Sequence, residues 1–334
     1  MKSIIHAILC AIPVLGMLLG TAMPAAAPQP APEISWPGDD NIKIWDITLA
    51  EDVSGLDFAD QKLYIVDNKE SKIWVLERDA LGNLAFVSGF EEGRAVRFAQ
   101  NMDRKGPDTE GITVAANGLI YLAAERDEAD GQDNKSSILQ IDVNEKQTVL
   151  TVQQQWDLTS SLPKASVNKG IEAVEWVAFD QLADMLWDQT SGGIFDPDRY
   201  PDAVAEGVFF AALEANGHIY GYILYEDGSC IQIADIDSLL GSAMALDYDA
   251  YENILWVAMD DGGECRMAQI KLNGTAKPSI THVLPSKALD ANANNEGFAI
   301  VQAELTDLGF RSVYRVTDGI REGVLKEEWI KSSF

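Results

Sequence analysis

The chain has 334 residues, 47% of them hydrophobic, and a formal net charge of −28. A surface this acidic repels nucleic acid and anionic membranes, argues against nucleic acid as a partner and favours cations, while solubility or a saline habitat accounts for the charge equally well. The length supports a large core, and no stretch after the N-terminal segment is long and apolar enough to span a bilayer.

Residues Met1 to Ala27 read as a secretory signal, with Lys2 in a short n-region, an apolar run from Ile4 to Leu19, and small residues ending at Ala27. The mature chain is expected to be periplasmic or secreted, and a monomer. Loss of the signal removes Cys10 and His6. Cys230 and Cys265 then remain as a disulfide or as two free thiols, and His218 and His282 are the remaining histidines. Residues 28–41 are expected to form a linker, of which Pro28 to Gly38 is Pro/Ala-rich and without fixed structure.

From residue 42 to 334 the pattern is all-β. Ile42 to Ala50 reads as a strand without a repeat of its own. Five units follow, beginning near Val53, Glu110, Lys169, Ala243 and Glu296. Each opens with alternating apolar positions, turns, and ends a second apolar run on a polar residue, as in DTEGITVAANGLIYLAAERD from Asp108 to Asp127. Repetition of β units at this spacing predicts a single β-propeller of five blades. A sixth would have to hide in Arg94 to Arg104 or in the segment Phe179 to Glu206, and neither contains a repeat. The fifth unit is one strand short, so the N-terminal strand is expected to close the last blade. QTVLTVQQQW is assigned to the second unit. Residues 179–206 read as an insert, helical over FDQLADMLWDQ and then a Gly-Pro-Asp-rich loop.

Aligning the units places Ser54, Glu110, Glu172, Met244 and Glu296 at one equivalent position, and Asn68, Glu125, Glu214, Asp260 and Asp318 at another. Innermost strands line a propeller's channel, so both sets should ring one mouth of it. Each glutamate singly is also an ordinary strand-end cap. Converging carboxylates repel one another unless a cation bridges them, and calcium accepts a loose ring of oxygen ligands. The metal candidates are therefore Glu110, Glu172, Glu296, Glu125, Glu214 and Asp260. Zinc is disfavoured, because histidines and thiolates are few and scattered. The acidic loop Glu128 to Asn134 lacks the terminal glutamate of an EF-hand and reads as a solvated hairpin tip.

SGL at Ser54, DTEGI at Asp108 with AAER at Ala123, NKGIEAV at Asn168, NNEGF at Asn294 and VTDG at Val316 resemble, in order, the signature steps of the phytase-like β-propeller superfamily. The branches most similar are the exported proteins called esterase-like activity of phytase and the SdiA-regulated proteins. The resemblance implies a propeller with calcium at the channel mouth and a capacity for phosphoester hydrolysis. Three departures weaken the activity it implies: Glu172-Ala173 stands where Glu-Gly is frequent, Met244 interrupts the acidic ring, and no DDPAIW-like opening is present.

Two functions follow. One is a calcium-rigidified binding or scaffold module of the cell envelope, taking a small-molecule, glycan or peptide ligand on the Trp176, Trp187 and Tyr200 surface. The alternative is a calcium-dependent phosphoesterase, in which metal polarises the phosphoryl oxygen and Arg126 and Lys169 bind the anionic substrate. A Ser-His esterase fares worst, with no G-x-S-x-G elbow in the chain.

Overall fold

The computed structural model describes residues 30–128, 135–144, 147–302 and 309–332. The signal segment and most of the acidic loop after Glu128 lie outside them. The remainder is one compact unit from Ala31 onward.

Five sheets stand around a common axis, each led by an innermost strand: Val53–Ala59, Pro107–Val114, Ile171–Ala178, Ala245–Asp249 and Gly297–Ile300. Each of these strands abuts the next, and Gly297–Ile300 returns to Val53–Ala59, which closes the ring. The fold is a five-bladed β-propeller.

A blade in this arrangement is covered on both faces by its neighbours, so its strands lose the half-polar alternation of an open sheet. Ile120–Asp127 is buried at seven of eight positions. Five apolar clusters fill the five gaps between blades. Tyr121, Trp156 and Phe209, for example, seal blade two against blade three, with the Tyr121 and Phe209 rings 4.5 Å apart. Side chains of this size stabilise by about 1.5–3 kcal/mol each when fully buried.

The N-terminal strand closes the last blade as expected. Lys43–Ile44 pairs antiparallel with Lys326 and Glu327, and Trp45 N–H donates to Leu325. The linker expectation needs correction over its second half. Glu33–Ile34 pairs in parallel with His282 and Val283 on the outer edge of blade four, and Trp36 is buried against Trp256. An exposed sheet edge and an apolar gap recruit a segment whose composition alone suggests disorder.

Two further expectations change. QTVLTVQQQW is divided: Gln154–Asp157 is the outer strand of blade two, whereas Val149–Thr151 crosses to blade one and pairs in parallel with Arg94–Arg97. The helical stretch of the insert shrinks to the single turn Phe179–Leu182, followed by a small hairpin of Trp187–Asp188 and Gly193–Ile194. Asp184 there adopts a positive φ of 65°, which no α-helix continues through.

Just below one mouth the inner strands nearly touch. A Cβ added to Gly111 would lie 2.6 Å from Ala173 Cα, and one added to Gly55 would lie 2.8 Å from Gly111 Cα. Gly55, Gly111, Ala173, Ala245 and Gly297 line this level, where only about 10 Å³ of space is left. Gly111→Ala is expected to destabilise by about 1–3 kcal/mol, because the obstructing atoms are backbone and have nowhere to move. Equilibrium denaturation checks this, and a neutral result would mean the inner strands can separate.

Candidate functional site: an acidic channel mouth

The strand ladders explain how the aligned residues reach the axis. In blade one, Val53 lies opposite Asp67 and Gly55 opposite Val66, so Ser54 is unpaired. Glu110 is skipped in the same way between Thr109 and Gly111, and Glu172 between Ile171 and Ala173. Such bulges rotate a side chain out of the pleat's alternation, and here they deliver it to the channel. Glu125, in the neighbouring strand of blade two, is skipped as well. Met244 and Glu296 sit one residue ahead of their strands.

The result is a cavity of about 230 Å³ on the axis. Glu110, Glu125, Glu172, Glu214, Asp260 and Glu296 all line it, as does Met244. Asp318 does not, although it raises the Glu296 pKa from nearby. Asp108 also lines the cavity and was not among the expected ligands, although it stands in the DTEG motif. One oxygen from each of Asp108, Glu110 and Glu125, all buried, lies within 4.8 Å of the others.

These carboxylates are poorly solvated. Burial, and then the charges of Asp108 and Glu296, push Glu110 well above the usual carboxylate range. Glu172 is also raised well above that range, by burial and then by Glu110, Glu125 and Glu214. Burial and Asp318 bring Glu296 up to about 8. Some partners are local: Ser54 Oγ donates to Glu110 Oε2 at 2.9 Å, and Asn68 Nδ2 at 3.2 Å. Gly170 N–H donates to Glu125 Oε1 at 2.8 Å, and a Cβ on Gly170 would strike the Glu125 side chain. Glu172 has no hydrogen-bond partner among the described residues, and Asp108 Oδ1 and Glu296 Oε2 are buried without one.

The two cations expected to meet an anionic substrate are otherwise engaged. Arg126 is buried, pairs with Asp108 at 2.5 Å and with Glu125, and donates to Asn168 Oδ1 at 2.6 Å. Lys169 Nζ lies 2.9 Å from Glu214 Oε1 and does not line the cavity.

No protein-family model matches the chain, and no curated protein does. Among solved structures it is similar to streptogramin B lyase, at 12% identity over 90% of each chain with a TM-score of 0.39. It is also similar to a structural-genomics protein of unknown function from Bacteroides thetaiotaomicron, at 8% identity and a TM-score of 0.40, over 82% of this chain and 58% of that one.

At the other end of the inner strands lies a second set of side-chain acceptors, three of them acids. Three residues after each ring position stand Asp57, Thr113, Glu175 and Asp247, and each accepts a backbone N–H from the next blade. Val114 donates to Asp57 at 2.7 Å, Trp176 to Thr113 at 3.1 Å, Tyr248 to Glu175 at 3.2 Å, and Ile300 to Asp247. This belt fastens blade to blade. Its signal was present in the sequence as a four-residue step, SGLD, EGIT, EAVE and MALD, and only Ala299 in EGFA breaks it.

Burial lifts Asp57 to about 6; burial first, and then the Asp57 charge, raises Glu175 and Asp247 well above the usual range. The folded state therefore binds more protons than the unfolded chain between the ordinary carboxylate pKa and these raised values. The contribution to stability is greatest at low pH and is lost as pH rises through about 6 and beyond. Glu175→Gln, which keeps an acceptor for Tyr248 N–H, is expected to flatten the fall in stability between about pH 5 and 8. Melting midpoints across that range read the slope, and an unchanged slope would mean Glu175 does not titrate there.

His218 Nδ1 lies 2.6 Å from Asp235 Oδ1 on a blade-three hairpin, and His282 Nε2 lies 3.3 Å from a backbone oxygen of Ser238. Neither lines the axial cavity. Cys230 and Cys265 are free thiols.

Proposed function

We propose that this protein is an exported calcium-binding β-propeller that acts as a binding or scaffold module of the cell envelope. The observation that carries the reading is the composition of the axial cavity: among the described residues seven carboxylates line it against the two cations Lys69 and Arg126, and Arg126 is already paired with Asp108 and Glu125. A hard cation relieves that repulsion with oxygen ligands alone. The buried, unpartnered oxygens of Asp108 and Glu296 suit such an ion, and with Glu110, Glu125 and Glu172 they would hold it. The phosphoesterase alternative has less support, because a polyanionic substrate would meet a mouth whose guanidinium is tied to carboxylates.

Isothermal titration of the mature protein with calcium tests the reading, run beside an assay of phosphomonoester turnover. The expected result is saturable binding that Glu172→Gln weakens at least tenfold, without turnover. Absence of calcium binding sinks the metal reading. Turnover that is lost in Glu172→Gln would move the protein to the hydrolase class.

A further inference from the structure

A cavity of about 840 Å³, larger than the axial one, lies off the axis beneath the insert, beside the blade-three end of the acceptor belt. Trp176 and Ala178, at the end of that blade's innermost strand, separate it from the belt's own cavity, which they also line. Its apolar wall is Trp176, Phe179, Tyr200 and the prolines Pro197 and Pro201. The wall is pre-formed. Phe195 stacks on Tyr200 with centroids 5.7 Å apart and meets Phe179 edge-on at 5.2 Å, Tyr200 Oη donates to Asp188 at 2.7 Å, and Ala203 bridges to Tyr225 of the blade. Gly207 permits the packing of Trp176, since a Cβ there would lie 2.0 Å from the indole Nε1. Trp187 lines a different, smaller pocket.

Charge then selects the ligand. Asp180, Asp198, Asp202 and Glu206 stand around this apolar wall, all four exposed, and among the described residues no lysine, arginine or histidine lines the cavity. A neutral sugar or apolar ligand would gain nothing from the four solvated carboxylates, and an anion would be repelled. A cation with an apolar body satisfies both surfaces at once, through the carboxylates and through tryptophan, the aromatic ring that attracts cations best. A volume of this size lies within the range of small-molecule sites.

We infer that this cavity is a second binding site, separate from the axial mouth, for an organic cation carrying an apolar group, such as a primary or quaternary amine. It stands independently of the calcium reading.

The test compares 4-phenylbutylamine with its neutral analogue 4-phenylbutanol by titration calorimetry on the mature protein, with and without millimolar calcium. Asp198→Asn combined with Asp202→Asn removes two charges from exposed positions. Asn tolerates the positive φ of 62° at residue 202, so the backbone is kept. The amine is expected to bind at least tenfold more tightly than the alcohol. The double variant is expected to lose at least fivefold of that affinity, and calcium to leave it unchanged. Equal binding of amine and alcohol, undiminished binding in the double variant, or displacement of the amine by calcium would each overturn the assignment, the last by placing the amine at the axial mouth.

Discussion

Asp249→Ala is expected to destabilise the protein by about 3–5 kcal/mol, the usual consequence of stranding one member of a buried ion pair. Asp249 ends the innermost strand of blade four, and Arg311 lies in the second strand of blade five. Their side chains are each 1% exposed and meet in two parallel hydrogen bonds, Nη1 to Oδ1 at 2.7 Å and Nη2 to Oδ2 at 2.5 Å. Arg311 Nε also donates to Ser332 Oγ at 2.7 Å. Removing the carboxylate leaves a guanidinium with no water to replace it, at the joint between the penultimate and last blades. Replacing both partners by apolar residues, Asp249→Leu with Arg311→Met, should cost less than the single change, because no charge is then left buried. Denaturation midpoints for the two variants decide the matter. A single-variant cost below about 1 kcal/mol would mean that solvent reaches the pair.

Calcium at a hundredfold excess over its dissociation constant is expected to stabilise the wild-type protein by about 2.7 kcal/mol, a rise in melting midpoint of roughly 4 °C for a chain of this length. The effect should vanish with chelator and should not be reproduced by potassium chloride of equal ionic strength, since screening acts weakly on charges packed into a buried cluster. Glu172→Gln provides the sharper contrast. Without calcium the variant should melt higher than wild type, because it removes one of several mutually repelling acids that burial has already pushed up. With calcium its advantage should disappear, because a ligand has been lost. A variant that is less stable than wild type under both conditions would give Glu172 a packing role and no role at a cation site.

The sequence by itself determined the blade count, the strand that closes the last blade, and the convergence of Glu110, Glu172 and Glu296 with Glu125, Glu214 and Asp260 at one mouth. These are consequences of repetition: equivalent positions in a closed ring must face the same axis, whatever the pairing in detail. The same logic applies three residues further along each repeat, where Asp57, Thr113, Glu175 and Asp247 form the acceptor belt. Tertiary structure alone decided the remainder. Bulges at Ser54, Glu110 and Glu172 are invisible in composition, because a skipped residue looks like any other in an apolar run. The crossing of Val149–Thr151 to blade one and the docking of Glu33–Ile34 on blade four depend on which sheet edges are left open, a property of the assembled ring. Arg126 looked free because its neighbour in sequence, Glu125, was visible, whereas Asp108 and Asn168 reach it only through the blade's pairing and the next blade's approach. Local pattern sets which face a residue presents, but only the closed propeller sets what it finds there.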